Sequence, residues 1–170
     1  MEADGYDAVI RHGPVSDRWL VAVRIARSQR VLVASPAYLE ANGVPSTVEN
    51  LGDHAGILYT NRVADWRLGE GAEAAIVQPR RALRVNNGLI MRDAALAGVG
   101  VTLLPTFFVH KDLASGALRA IDVGLEPEPA EIHIAYPAAQ PPSAKLRALI
   151  AHLRTSFGSP PYWEVPEALP

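Results

Sequence analysis

Arg11-His12-Gly13 directly follows an apolar run, Asp7-Ala8-Val9-Ile10. An arginine in that place faces either a carboxylate of the protein or an anionic ligand. Two further positions invite a ligand: Ser35, after Val31–Ala34, and Asn86-Asn87-Gly88, ahead of a helical stretch. In an open α/β sheet, ligands lie at the carboxyl ends of strands, beside helix N-termini whose N–H groups favour anions. Ser35 and Asn87 serve equally well as plain helix caps. Trp66 walls a pocket or fills the core of a hairpin, and Pro105 caps a buried strand.

These residues bind rather than react. Gly98-Val99-Gly100 lies at a helix-to-strand turn, the reverse of the order a dinucleotide fingerprint needs. No Gly-x-Ser-x-Gly elbow occurs. The five histidines, at 12, 54, 110, 133 and 152, never fall three or four apart, so no two of them share a helical face as metal ligands. With Cys at 0, thiolate chemistry, thiolate metal sites and disulfides are excluded. Glu126-Pro127-Glu128 reads as a solvated connector. The expectation is a protein that is not an enzyme, with no catalytic residue, no metal and no cofactor.

Composition narrows the partners. The chain has 170 residues, 49% hydrophobic and 20% charged, enough for a packed core. Sixteen basic against eighteen acidic side chains give a net charge of -2. Fourteen of the sixteen are Arg, a general bias rather than a local device. Only Arg80-Arg81-x-x-Arg84 clusters, and a solvated strand entrance accounts for it better than a phosphate track. No apolar stretch reaches the ~20 residues of a membrane span, and the acidic start Met1-Glu2-Ala3-Asp4 lacks the pattern of a signal peptide. A soluble cytoplasmic protein that does not bind DNA by itself is expected.

The elements that would position these residues alternate. Strands are expected at Asp7–Arg11, Trp19–Val23, Arg30–Ala34, Ala55–Tyr59, Arg80–Val85, Gly100–Pro105, Ala117–Ile121 and Ile132–Pro137, the second and third as a pair. Ser35, Pro36 and Gly43 bracket one helix, and Ser46-Thr47-Val48-Glu49 has capping-box spacing for another. A hairpin is expected around Trp66. A helix follows Asn87 to Ala97 with Ile90, Ala94 and Ala97 as its stripe, and a short one passes through Phe107-Phe108-Val109. Leu146, Leu149, Ile150, Leu153 and Phe157 stripe the last helix, and the tail beyond Gly158 reads as loose, docked by Tyr162 and Trp163. The class is α/β, with a mixed, mostly parallel sheet.

Taken in order, the segments Tyr6–Gly13, Arg30–Leu39, Asn42–Pro45, Leu51-x-x-His54, Val85–Gly88, Arg92–Val101, Leu103–Pro105 and Leu113–Leu118, with the strand and helix over 132–157, resemble the effector-binding domain of LysR-type transcriptional regulators. The resemblance covers residues 6–157. It implies a two-lobed fold like the type 2 periplasmic binding proteins, with a small-molecule pocket in the cleft. Lobe two is complete over 15–129, lobe one is a remnant of 1–14 and 130–158, and 159–170 is a C-terminal tail. It further implies a homo-oligomer that meets DNA only through an N-terminal winged helix-turn-helix. That module, and the first part of lobe one with its Ser/Thr loop, have no counterpart in the sequence. The exposed apolar surface left by that loss favours self-association.

The implied role is sensing a small, anionic effector. Arg11 and Gly13 sit at the hinge and Ser35 at a helix N-terminus; Asn86 and Asn87 line the cleft edge, with Trp66 and Pro105 as apolar walls. A stand-alone cytoplasmic solute-binding protein of the same fold is the alternative, against which the missing signal peptide counts. An enzyme of this architecture, such as a deaminase of the porphyrin pathway, would lack its thiol attachment point.

Overall fold

The computed structural model describes residues 6–60, 66–69, 71, 74–139 and 141–165. The chain forms two compact units, one from the stretches up to Ser28 and Pro129–Val165, the other from Gln29–Glu128.

Unit one is a three-stranded antiparallel sheet of β1 (Val9–His12), β2 (Leu20–Ser28) and β10 (Ala130–Pro137), in the order β1-β10-β2. The strand expected at Trp19–Val23 runs on to Ser28 and pairs with β10, not with Arg30–Ala34. This moves the first boundary from 14/15 to 28/29, because eight residue pairings hold 20–28 to the returning strand. Helix α5 (Ala144–Phe157) starts at Ser143, whose hydroxyl accepts from Leu146 N–H at 3.2 Å. Of its apolar stripe Leu146 is buried, while Leu149 stays 42% exposed. The tail is not loose up to Val165: a 3-10 turn over Tyr162–Glu164 buries Trp163, whose ring meets Phe157 edge-on at 5.0 Å.

Unit two is built on a five-stranded sheet, ordered β7-β4-β8-β3-β9. Its strands are β3 (Arg30–Ala34), β4 (Ala55–Tyr59), β7 (Arg80–Val85), β8 (Val101–Pro105) and β9 (Arg119–Ile121). Successive side chains point to opposite faces. Leu32, Ala34 and Leu58 therefore join the core on the side of α1 (Pro36–Asn42) and α2 (Val48–Asp53), with Tyr38, Leu39 and Leu51. Val33 and Ile57 join the core on the side of α3 (Gly88–Leu96) and α4 (Thr106–Ala114), with Met91, Ala95 and Val109. The continuous apolar run Val31–Ala34 needs this double cover. Each such side chain contributes about 1.5–3 kcal/mol on burial. A hairpin of β5 (Trp66–Leu68) and β6 (Ala75–Val77) completes the first core; residues 61–65, 70 and 72–73 lie outside the described ones.

Four local expectations change. The sheet is mixed but not mostly parallel, since β4 runs parallel to β7 and β8 while β3 runs antiparallel to β8 and β9. Helix α3 buries Met91 and Ala95, not the stripe of Ile90, Ala94 and Ala97; Ile90 is 50% exposed. Thr47 rather than Ser46 caps α2, accepting from Asn50 N–H at 3.2 Å. The helix through Phe107–Val109 continues to Ala114.

Candidate functional site

Strand direction decides which residues meet. Arg30 pairs with Pro105 and Val33 with Thr102, so β3 begins where β8 ends. Strands β4 and β7 end at that same edge, at Tyr59 and Val85. The edge thus collects the start of β3 with the ends of β4, β7 and β8. It is closed by main-chain bonds, Thr106 N–H to Gln29 O at 3.0 Å and Thr60 N–H to Val85 O at 2.9 Å.

Two helices start there. Asn87 caps α3, its Oδ1 accepting from Leu89 N–H at 2.8 Å and Ile90 N–H at 3.4 Å. Asn86, beside it, is exposed. Pro105 ends β8 and occupies the cap position of α4. Both helices aim the positive end of their dipoles at this edge. Their mutual position is fixed by two contacts. A Cβ on Gly88 would lie 2.7 Å from the Phe108 ring, so only glycine admits that approach. Arg92 on α3 also grips Asp112 on α4, Nε to Oδ2 at 2.5 Å and Nη2 to Oδ1 at 2.7 Å. Asp112 is buried, and its hydrogen bonds raise the already high pKa of Arg92 further.

Ser35 is not part of this edge. It ends β3, which runs the other way, so it stands roughly 15 Å from Asn87, a five-residue strand away. There Ser35, 4% exposed, accepts through its hydroxyl from Tyr38 N–H at 3.3 Å, and that hydroxyl sits 3.6 Å from where a Cβ of Gly98 would be. The sequence pattern of strand followed by capped helix is the same at Ser35 and Asn87; only the antiparallel register separates them. Trp66, offered as a pocket wall, is 1% exposed and packs in the first core with Leu68 and Val77.

The edge opposite Asn87 holds a different feature. The Tyr38 hydroxyl accepts from Ala55 N–H at 3.0 Å and lies within hydrogen-bond distance of His54 Nδ1, at 3.1 Å. Burial pushes the His54 pKa down, aided by the charge of Arg80 and opposed by Asp53.

The other two predicted residues belong to unit one. Gly13, at φ 98°, extends the β1 pairing through its N–H to Glu131 O at 2.9 Å, and only glycine takes that backbone geometry without strain. Arg11 projects from β1, exposed, opposite His133. Next to it, His12 Nε2 lies 3.2 Å from the Ser28 hydroxyl.

Sequence reasoning missed Gln29, Arg30, Thr60 and Thr106 at the edge where α3 and α4 begin. Their inclusion follows from long-range pairing, which no local pattern announces. Among the described residues, no three His, Cys, Asp or Glu side chains form a group able to hold a metal ion. No helix among them is long and apolar enough to cross a membrane.

The family model for the LysR substrate binding domain matches residues 1–158. The transcriptional regulator PtxR of Pseudomonas aeruginosa is 32% identical over 160 residues, which cover 92% of this chain and 51% of PtxR. YhjC of Escherichia coli, an uncharacterized HTH-type transcriptional regulator, is 33% identical over 138 residues, covering 79% of this chain and 46% of its own. Among solved structures, the full-length Vibrio cholerae virulence activator AphB superposes with a TM-score of 0.74 at 26% identity, over 91% of this chain and 53% of AphB. The CrgA regulatory domain of Neisseria meningitidis gives 0.77 at 24% identity, over 89% of this chain and 76% of that one, a likeness of fold. The chain spans about half the length of the curated relatives it matches.

Proposed function

Because the chain belongs to the LysR substrate-binding-domain family, with the α/β fold of LysR-type regulatory domains, we propose that it senses a small anionic effector for a transcriptional regulator. The effector is taken at the edge of unit two where α3 and α4 begin. Asn86 and Asn87 are the polar contacts and Pro105 the apolar wall. Gly13 provides a flexible point on unit one. Binding biases the domain toward one of two states, and a DNA-binding segment reports the change within a homo-oligomer. The assignment is to a cytoplasmic sensor without catalysis or cofactor.

The observation that supports this most is the convergence of two nine-residue helices, α3 and α4, on one sheet edge. Exposed N–H groups at helix starts attract carboxylates and phosphates. The similarity to curated transcriptional regulators favours a sensor over a stand-alone solute-binding protein.

A thermal-shift screen of the chain against small carboxylates and aromatic acids tests the reading. A ligand at 100 times its Kd stabilises the folded state by about 2.7 kcal/mol. The expected result is a shift that Asn87→Ala abolishes. A hit whose shift survives Asn87→Ala and Asn86→Ala together would place the effector elsewhere.

A further inference from the structure

Arg11, His133 and Arg24 stand directly opposite one another across β1, β10 and β2. Residues in such a row share one face of the sheet. Arg27 stands opposite Glu131 on the same face. In a regular strand, residues 24 and 27 would point to opposite sides. The register slips between Ile132 and His133, inserting one extra residue in β2, and that bulge turns Arg27 to the side of Arg24. Bulges commonly serve to re-aim a side chain in this way.

Three arginines, Arg11, Arg24 and Arg27, therefore share a face with the one carboxylate of Glu131. Arg24 Nη1 lies 2.9 Å from Glu131 Oε1, and His133 Nε2 lies 3.3 Å from Oε2, so both carboxylate oxygens are engaged. Arg11 and Arg27 make no hydrogen bond or ion pair among the described residues. The Glu131 carboxyl is held below its ordinary pKa, first by the Arg24 hydrogen bond and then by the charges of Arg24, His133 and Arg27. Like charges set opposite each other weaken a sheet. Arg24 is answered by Glu131, while the charges of Arg11 and Arg27 on the same face have no ion-pair partner among the described residues.

We infer that this face of unit one is a binding site for a small, doubly charged oxyanion of the phosphate type, gripped by Arg11, Arg24 and Arg27 above His133. Neighbouring strands are about 4.8 Å apart, which puts the Arg11 and Arg24 backbones roughly 10 Å from each other. Two extended arginines converge on one ion across that span, and their forked donors match its oxygens. Arg11, which the sequence alone offers to the effector, belongs with this row. The site shares no residue with the edge at Asn87, so either reading can fail without the other.

The test is a titration of the chain with inorganic phosphate at constant ionic strength, followed by backbone amide NMR. Saturable shifts are expected at Arg11, Arg24, Arg27, Glu131 and His133, with malonate binding more weakly. Arg11→Gln and Arg27→Gln remove side chains without bonds in the fold, so both variants keep their melting temperature. Each should weaken phosphate at least tenfold, while Glu131→Gln strengthens it. Shifts that never saturate, or the same affinity in the Arg11→Gln/Arg27→Gln double variant, overturn the site. Tighter malonate binding overturns the phosphate assignment, and so does tight binding of duplex DNA with no response to phosphate.

Discussion

The guanidinium of Arg92 and the carboxylate of Asp112 meet in a two-pronged bond that ties α3 to α4. Nothing within either helix requires this pair. Its effect is to hold two helix starts side by side at the edge where Thr60 and Thr106 close the sheet.

Removing one partner leaves the other partly buried and uncompensated. Arg92→Ala should cost about 2–3 kcal/mol in urea unfolding, and Asp112→Asn less, because the amide keeps one acceptor for Arg92. Exchange of the two residues, Arg92→Asp with Asp112→Arg, is expected to recover part of the loss. A double variant no more stable than either single change would mean that the pair does not act as a brace.

Ser35→Ala and Asn87→Ala each delete a helix cap, and each should destabilise unit two by about 1 kcal/mol. Only Asn87→Ala should also erase the thermal response to an effector, since the two caps lie at opposite edges of one sheet. Equal loss of response in both variants would show that the response follows stability alone.

Gly100 runs against the backbone of β4, where a Cβ would fall 2.2 Å from Ala55 O. Gly52, on α2, has nothing within 4 Å of its own Cβ position. Gly100→Ala should therefore lower the melting temperature sharply. Gly52→Ala should leave it unchanged or raise it slightly, since alanine favours a helix over glycine by up to about 1 kcal/mol.

His54 gives unit two a pH dependence. Its pKa in the fold lies below the ordinary value of 6.5, so the unfolded chain binds more protons in that window and stability rises with pH. The contribution is whole above 6.5 and is lost as pH falls toward the folded value. Glu131 acts in the same direction in a separate window, below 4.5. Unfolding curves between pH 7.5 and about 5 should lose their slope in His54→Gln, where no imidazole titrates. A slope unchanged by that substitution would assign the dependence to another group.

The sequence by itself determined what is local. Ser35 with Pro36 and Gly43, Asn87 before α3, and Ser143 before α5 mark helix ends through bonds that reach three residues at most. The apolar run at Val31–Ala34 declares a strand covered on both faces for the same reason, since its burial is written in consecutive side chains. The order of these segments was enough to show the family resemblance. Strand direction and register were decided only by the tertiary structure. They depend on pairings such as Arg30 with Pro105 and Arg27 with Glu131, between segments far apart in the chain. One antiparallel strand sends Ser35 to the far edge from Asn87, and one extra residue in β2 turns Arg27 beside Arg24. A one-residue slip reverses every side chain that follows it, and no local pattern of residues records on which side the slip falls.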